Sequence, residues 1–372
     1  MAKKKDGKNK DAQTKDGKNH GKNGGKNYGK DRGKNHEKNQ DGETQDAKSE
    51  HSDQTEAQAQ EGRVVLTSVP TPPEPAGDEP SARARRAPGH DGLSDAIRTA
   101  LRVRPGFQLA DVDPGSTPGF EGGKNDAEKV MVQTADEVAE LQERLYAEAK
   151  GRSEGGRSVL LLVQGMDTSG KGGIMRHVIG LMDPQGVKIT AFKVPTPEER
   201  RHPFLWRIRR ALPAPGQVGV FDRSQYEDVL VVRVHHLVAK STWTRRYGQI
   251  NTFERTTAHQ GTSIVKVMLH IGRDEQRARL AERLARPDKH WKFNPGDIDE
   301  RAQWDDYQVA YQAALERTST DDAPWYVVPA NEKWYARLAV QHILLGELRA
   351  MNPQWPPPDY DVAEQQARLA AT

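Results

Sequence analysis

Residues 158–173 read SVLLLVQGMDTSGKGG. The first seven form a short continuous apolar run ending at Gln164, which fits a strand buried on both faces of a parallel sheet. Gly165 to Gly173 then match G-x-x-x-x-G-K, directly after that strand and before a helix expected over 174–182. The glycines let the chain wrap closely around a phosphate, with backbone N–H groups pointing inward. The following helix adds its positive N-terminal end, and Lys171 adds a full charge. One position departs from the usual loop. Gly172 stands where a Ser or Thr after the Lys normally ligates Mg2+. Asp167, inside the loop, is the natural alternative ligand.

Outward from this point, strands and helices alternate. Further strands are expected over 187–194, 218–221, 263–271 and 325–328, with helical patterns over 225–238, 273–285, 297–317 and 333–348. That alternation predicts an α/β fold: a parallel sheet covered on both faces, with ligands at the carboxyl ends of the strands. Upstream, Leu93, Ile97 and Leu101 fall four apart on one helix face. A longer helix over 124–150 carries Val130, Val138, Leu141, Leu145 and Tyr146 on one side.

The chain has 372 residues, 56 Lys and Arg against 53 Asp and Glu, a net charge of +3 and no cysteine. Lack of cysteine excludes a disulfide scaffold, a thiolate zinc site and a thiol nucleophile. No run of 18 apolar residues occurs, so no transmembrane helix is expected, and MAKKKDGKNKDAQ lacks the apolar run of a secretory signal. Residues 1–62 have almost no aliphatic side chain, repeat Gly-Lys-Asn from Gly7, Gly17, Gly21, Gly25 and Gly33, and predict a disordered low-complexity tail. Its first 40 residues carry a net +8 and residues 41–62 a net −6. The tail is either a weak electrostatic tether for polyanions or a solvated segment without a partner. Residues 63–90 read as a Pro/Ala/Arg-rich linker, 91–150 as an N-terminal helical extension, 151–350 as the core, and 351–372 as a proline-stiffened C-terminal tail.

Three further motifs carry chemistry. FDRSQYEDVL, residues 221–230, puts Asp222 at a strand end beside the phosphate loop, where enzymes with such loops hold Mg2+. Arg223 next to it suits a bidentate phosphate contact. Residues 277–292, RARLAERLARPDKHWK, crowd Arg277, Arg279, Arg283, Arg286, Lys289 and Lys292 after a core strand, where a lid over about 273–300 would close on phosphates. Trp291 and Phe293 are expected to pack and anchor that lid. Lys193 follows the second strand, and Arg207, with Arg209 and Arg210, offers further phosphate contacts. His235 and His236 sit among Val and Leu and read as structural histidines rather than phosphoryl carriers.

Taken together, GMDTSGKGG, KVPTPEE, FDRSQYEDVLVVRV, INTFE, RPDKHWKF, WDDY, STDDAPWYVVPA and KWYARL occur in the order of the polyphosphate kinase 2 family, which the chain resembles over about residues 124–350. PQGV, KVPTPEE and YEDVLVVRVH resemble the branch associated with AMP and ADP phosphorylation. The resemblance implies a P-loop, thymidylate-kinase-like three-layer αβα fold with a helical lid, Mg2+ as cofactor, and phosphoryl transfer between inorganic polyphosphate and a nucleotide. It maps the catalytic positions onto Asp167, Lys171, Asp222 and Arg223, with Asp167 and Asp222 as metal ligands. Phosphate binding falls to Gly165, Ser169, Gly170, Gly172, Gly173, Arg176, Lys193, Arg207, Arg283, Lys289 and Lys292. The branch often has Asp where Gly172 stands. Expected partners are polyphosphate and AMP or ADP, with no membrane and no specific nucleic acid, in a cytoplasmic homo-oligomer (dimer or tetramer). Two alternatives stay open at this point: an ATP-dependent nucleoside monophosphate kinase and a non-enzymatic polyanion binder.

Overall fold

The structure, a computed structural model, describes residues 90–151 and 155–372. The expectations for a tail over 1–62 and a linker over 63–90 lie outside the described residues, apart from His90. The elements run α1 (His90–Leu101), α2 (Lys124–Lys150), β1 (Ser158–Gln164), α3 (Lys171–His177), β2 (Val187–Ala191), α4 (Trp206–Ala211), β3 (Val218–Asp222), α5 (Val231–Val234), α6 (Lys240–His259), β4 (Thr262–His270), α7 (Arg273–Ala285), α8 (Gly296–Ala302), α9 (Trp304–Thr318), β5 (Trp325–Pro329), α10 (Lys333–Met351) and α11 (Val362–Ala370). Five parallel strands form one sheet in the order β2-β3-β1-β4-β5.

β1 is central and every one of its residues is buried, which is why its sequence shows no alternation. The chain leaves β1 toward β2 and β3 but leaves β4 toward β5. The switch point therefore lies at the carboxyl ends of β1 and β4, where a ligand crevice opens in such sheets. Helices flank the sheet in two groups. α10 packs on β4 and β5 and carries α1, α2 and α3, while α6 packs on β4 and meets α9. Ile97, Leu101, Val138, Leu141 and Leu145 of α1 and α2 are buried.

Several expected elements differ. The helix after the phosphate loop starts earlier and stops earlier than 174–182, because Gly170, at φ +111°, starts it at Lys171, and it gives way to a short turn over Ile179–Leu181. The second strand ends at Ala191 rather than at residue 194. The expected helix over 225–238 is a 3-10 turn (Gln225–Asp228) followed by α5. The Ser224 side chain caps the turn, and His236, at φ +51°, follows α5. The expected helix over 297–317 breaks at Gln303 into α8 and α9. α6, twenty residues long, has no counterpart in the sequence reading. Its buried face mixes Tyr247, Ile250 and Phe253 with Glu254 and Thr257, which interrupts the apolar stripe. The C-terminal segment holds a helix, α11, with no buried residue and Asp361 as its N-cap. Among the described residues, no helix is long and apolar enough to cross a membrane.

Candidate functional site

The loop between β1 and α3 turns inside out within a few residues. Gly165 sits at φ +152°, and a Cβ there would lie 2.6 Å from Ser169 Oγ and 2.7 Å from the Leu269 carbonyl of β4. Only glycine fits so tight a fold-back. Thr168 takes the left-handed region at φ +65° and Arg223, beyond the end of β3, does so at φ +63°. Strained backbone at two such residues, both facing one cavity, is typical of ligand clamps.

β1 and β3 pair in register, Val163 with Asp222, which places Asp222 beside the start of the loop. Arg223 donates from Nη2 to Asp167 Oδ1 at 3.1 Å and lies 3.9 Å from Glu227 Oε2. Lys171 Nζ donates to the Gly165 carbonyl at 2.8 Å. Burial pulls the Lys171 ammonium below its ordinary pKa, with Arg223 acting in the same direction and the Asp167 carboxylate against both. An anion in the loop would reverse that shift and hold the charge.

These residues line a cavity of about 680 Å³. Asp167, Ser169, Gly170, Lys171, Gly172, Gly173 and Arg176 form one wall, Asp222 and Arg223 the floor, and Arg283, Lys289 and Lys292 the lid side. Gly165 lies beneath the loop, outside the cavity wall. Lys193 and Arg207 are outside it as well. Arg207 is buried elsewhere, donating to the Lys193 carbonyl at 2.8 Å, 3.7 Å from Asp228 and 5.4 Å from the Phe192 ring centre. The structure brings them to each other, not to the loop. His235 pairs with Glu300 at 2.9 Å, and neither His235 nor His236 reaches the cavity.

Trp291 does not anchor the lid. Its side chain is 79% exposed at the cavity edge, held by an Nε1 bond to the Asp288 carbonyl at 3.1 Å, with the Lys292 ammonium 4.8 Å from the ring centre. Residues the sequence did not single out also reach the wall: Glu282, Asp297, Lys333 and Arg337. Lys333 and Arg337 lie within KWYARL, a motif that carried no assigned role. Arg and Lys outnumber Asp and Glu in the wall by ten to four. Such a surface suits a polyanion and excludes an apolar ligand.

A divalent cation fits the two carboxylates. Asp222 Oδ1 is buried and finds no hydrogen-bond partner among the described residues, an acceptor left open in the floor. No group of three or more acidic or His side chains placed to hold a metal ion by themselves occurs among the described residues. Mg2+ needs no such cage, since it takes one or two carboxylates and completes its shell with waters and substrate phosphates.

Glu227 is a further acid that the sequence left without a role. Burial raises its carboxyl pKa above the ordinary value of a Glu side chain, against the pull of Arg223 and Lys171. The stability that its neutral form contributes is full below that ordinary value and is lost as pH rises through the raised one. Glu227→Gln is therefore expected to raise the melting midpoint near pH 7.5, by about 2–4 °C per kcal/mol recovered. The gap should close below about pH 4.3. Melting curves across that range check it, and a variant less stable at pH 7.5 would contradict it.

A parallel sheet with a glycine-rich phosphate loop at its switch point, an acid at the neighbouring strand end and a cationic lid is the architecture of P-loop kinases. Residues 123–356 match the family described as Polyphosphate kinase 2. The chain belongs to the polyphosphate kinase 2 family. It is 46% identical over 260 residues to an AMP/ADP-polyphosphate phosphotransferase of Meiothermus ruber, covering 69% of this chain and 95% of that one. An ADP-polyphosphate phosphotransferase of Rhodopseudomonas palustris is 39% identical over 255 residues, covering 65% of this chain and 86% of that one. The crystal structure of polyphosphate kinase 2 from Arthrobacter aurescens superposes with a TM-score of 0.73 at 54% identity, covering 75% of this chain and 98% of that one.

Proposed function

We propose that the chain transfers phosphoryl groups between inorganic polyphosphate and AMP or ADP, giving ADP or ATP, directly and in line, with Mg2+ at Asp167 and Asp222. The observation that carries this reading is the cavity itself, a phosphate loop facing two carboxylates within a strongly cationic wall. The named activities of the relatives supply the substrate class.

Phosphoryl transfer needs positioning and charge neutralisation more than covalent help. The loop N–H groups and Lys171 hold the terminal phosphates of one substrate, with Lys171 exchanging the Gly165 carbonyl for a phosphate oxygen. Arg223 and the lid cations Arg283, Lys289 and Lys292 hold the second anion and the charge that develops in the transition state. The attacking phosphate oxygen is already anionic near neutral pH, so Asp167 needs only to orient it. Mg2+, when bound, neutralises phosphate charge between the two substrates.

The reading is tested with polyphosphate as donor and AMP, ADP and GDP compared as acceptors by product analysis, in the parent and in lid and tail variants. Lys289→Ala and Arg283→Ala should depress kcat/KM at every salt concentration, because both line the cavity. Deleting residues 1–62 should leave kcat alone and shift KM for long polyphosphate modestly, mostly at low salt, since surface charge is screened within about 10 Å at 0.1 M. A truncated enzyme that loses kcat, or a Lys289→Ala enzyme that does not change, would reverse the assignment of the two basic regions.

A further inference from the structure

Among the cations of residues 277–292, Arg279 stands apart. It is 5% exposed. Nε donates to Glu275 Oε1 at 2.7 Å, Nη1 to the Thr168 carbonyl at 2.9 Å, and Nη2 to the Ala330 and Asn331 carbonyls at 2.5 and 2.9 Å. A guanidinium with its N–H groups committed in this way has little left to offer a phosphate. One helical turn away, the Gln276 amide donates to the Asp167 carbonyl at 3.2 Å. The first half of α7 is thereby bonded to two consecutive carbonyls of the phosphate loop, and to the segment that follows β5.

We propose that Arg279 is a positioning residue that clamps the inverted Thr168 peptide, so that the loop is already formed before any phosphate arrives. The physical case rests on three points. Thr168 is β-branched, and the left-handed region it occupies is disfavoured for such residues. Its inverted peptide sends the carbonyl toward α7. Three carbonyl dipoles from two separate loops converge on one site, an arrangement that a single flat cation satisfies and that a lysine cannot span. Because α7 is tied down as far as Arg279, the moving part of the lid begins beyond it, at Arg283, whose Nη1 reaches Lys292 O at 3.1 Å and Asp297 at 3.2 Å. The expected lid over 273–300 is then shorter at its first end.

This inference rests on the phosphotransfer reading only for its kinetic arm. Hydrogen exchange of the unliganded chain is compared for the parent, Arg279→Lys, Glu275→Gln, and Arg279→Lys combined with Thr168→Gly. Arg279→Lys should speed exchange of the amides in residues 166–173 by about tenfold or more, with those of β1 and β4 unchanged. Glu275→Gln, which removes the charge that orients Nε at the helix surface, should act in the same direction more weakly. In turnover, Arg279→Lys should lose about 10²-fold in kcat, the scale of a small misplacement of catalytic groups, with KM for either substrate little changed. Thr168→Gly adopts a positive φ without strain, so it should recover part of that loss. Unchanged loop exchange, an equal loss in both Thr168 backgrounds, or a raised KM with intact kcat would overturn the clamp. A parent chain without polyphosphate turnover would sink the phosphotransfer reading and leave the exchange result standing.

Discussion

Asp222→Asn and Asp167→Asn are each expected to lower kcat by at least ~10²-fold, the scale of lost transition-state charge stabilisation, with the unfolding midpoint close to that of the parent. The two acids act from different elements. Asp222 is placed by the β1–β3 register and Asp167 by the loop. Asp222 Oδ1 has no hydrogen-bond partner among the described residues, and the carboxylate faces the Lys171 ammonium and the Arg223 guanidinium through space. Asn keeps its shape and removes that charge. Among the described residues, the Asp167 carboxylate pairs with Arg223, which also has Glu227 within 3.9 Å. Steady-state kinetics alongside urea unfolding separate the two contributions. Near-parental turnover in Asp167→Asn would remove it as the substitute for the hydroxyl missing at Gly172.

The largest stability effect should come from outside the cavity. Lys266 of β4 is fully buried and donates to Glu254 Oε2 at 2.6 Å, to Tyr226 Oη at 2.9 Å and to the Thr318 carbonyl at 2.6 Å. Gln225 Nε2 and Tyr226 Oη both donate to Glu254 Oε1 at 2.9 Å. Removing one partner of such a pair leaves an uncompensated buried charge, so Lys266→Met should cost about 3–5 kcal/mol. Adding Glu254→Gln keeps an acceptor for Gln225 and Tyr226 without the charge. The double variant should therefore be more stable than Lys266→Met alone. Urea denaturation of the parent, both single variants and the double variant measures the coupling, and strictly additive losses would contradict it. The network also pins the turn Gln225–Asp228, which directly follows the segment carrying Asp222 and Arg223.

The parts of this protein legible in its sequence are those where one pattern has one cause. The run over 158–164 is apolar because β1 is buried on both faces, and its bounds are met to the residue. The phosphate loop is legible because glycine spacing there is dictated by close backbone approach, as Gly165 against Leu269 shows. α6 was illegible because part of its buried face is polar: Glu254 goes inside only because Lys266, in the next strand, meets it. The cations of 277–292 look alike in one dimension, yet Arg279, at the same cavity wall as Lys289 and Lys292, commits its guanidinium to backbone carbonyls. The surroundings of Arg207 were hidden in the same way, since its burial beside Asp228 depends on tertiary contacts that local spacing does not encode. The expectation that Trp291 packs to anchor the lid fails because the turn Pro287–Lys292 that carries it is mostly charged and holds no buried residue.

The account stands most directly on the identity of the phosphoryl donor. A phosphorus NMR time course of the full chain with Mg2+, AMP and long-chain polyphosphate, in the absence of ATP, follows donor and product together. The account predicts that AMP is consumed while the β-phosphate of ADP grows in and the polyphosphate shortens from its end. AMP left unchanged under those conditions, but phosphorylated once ATP replaces polyphosphate, would contradict it.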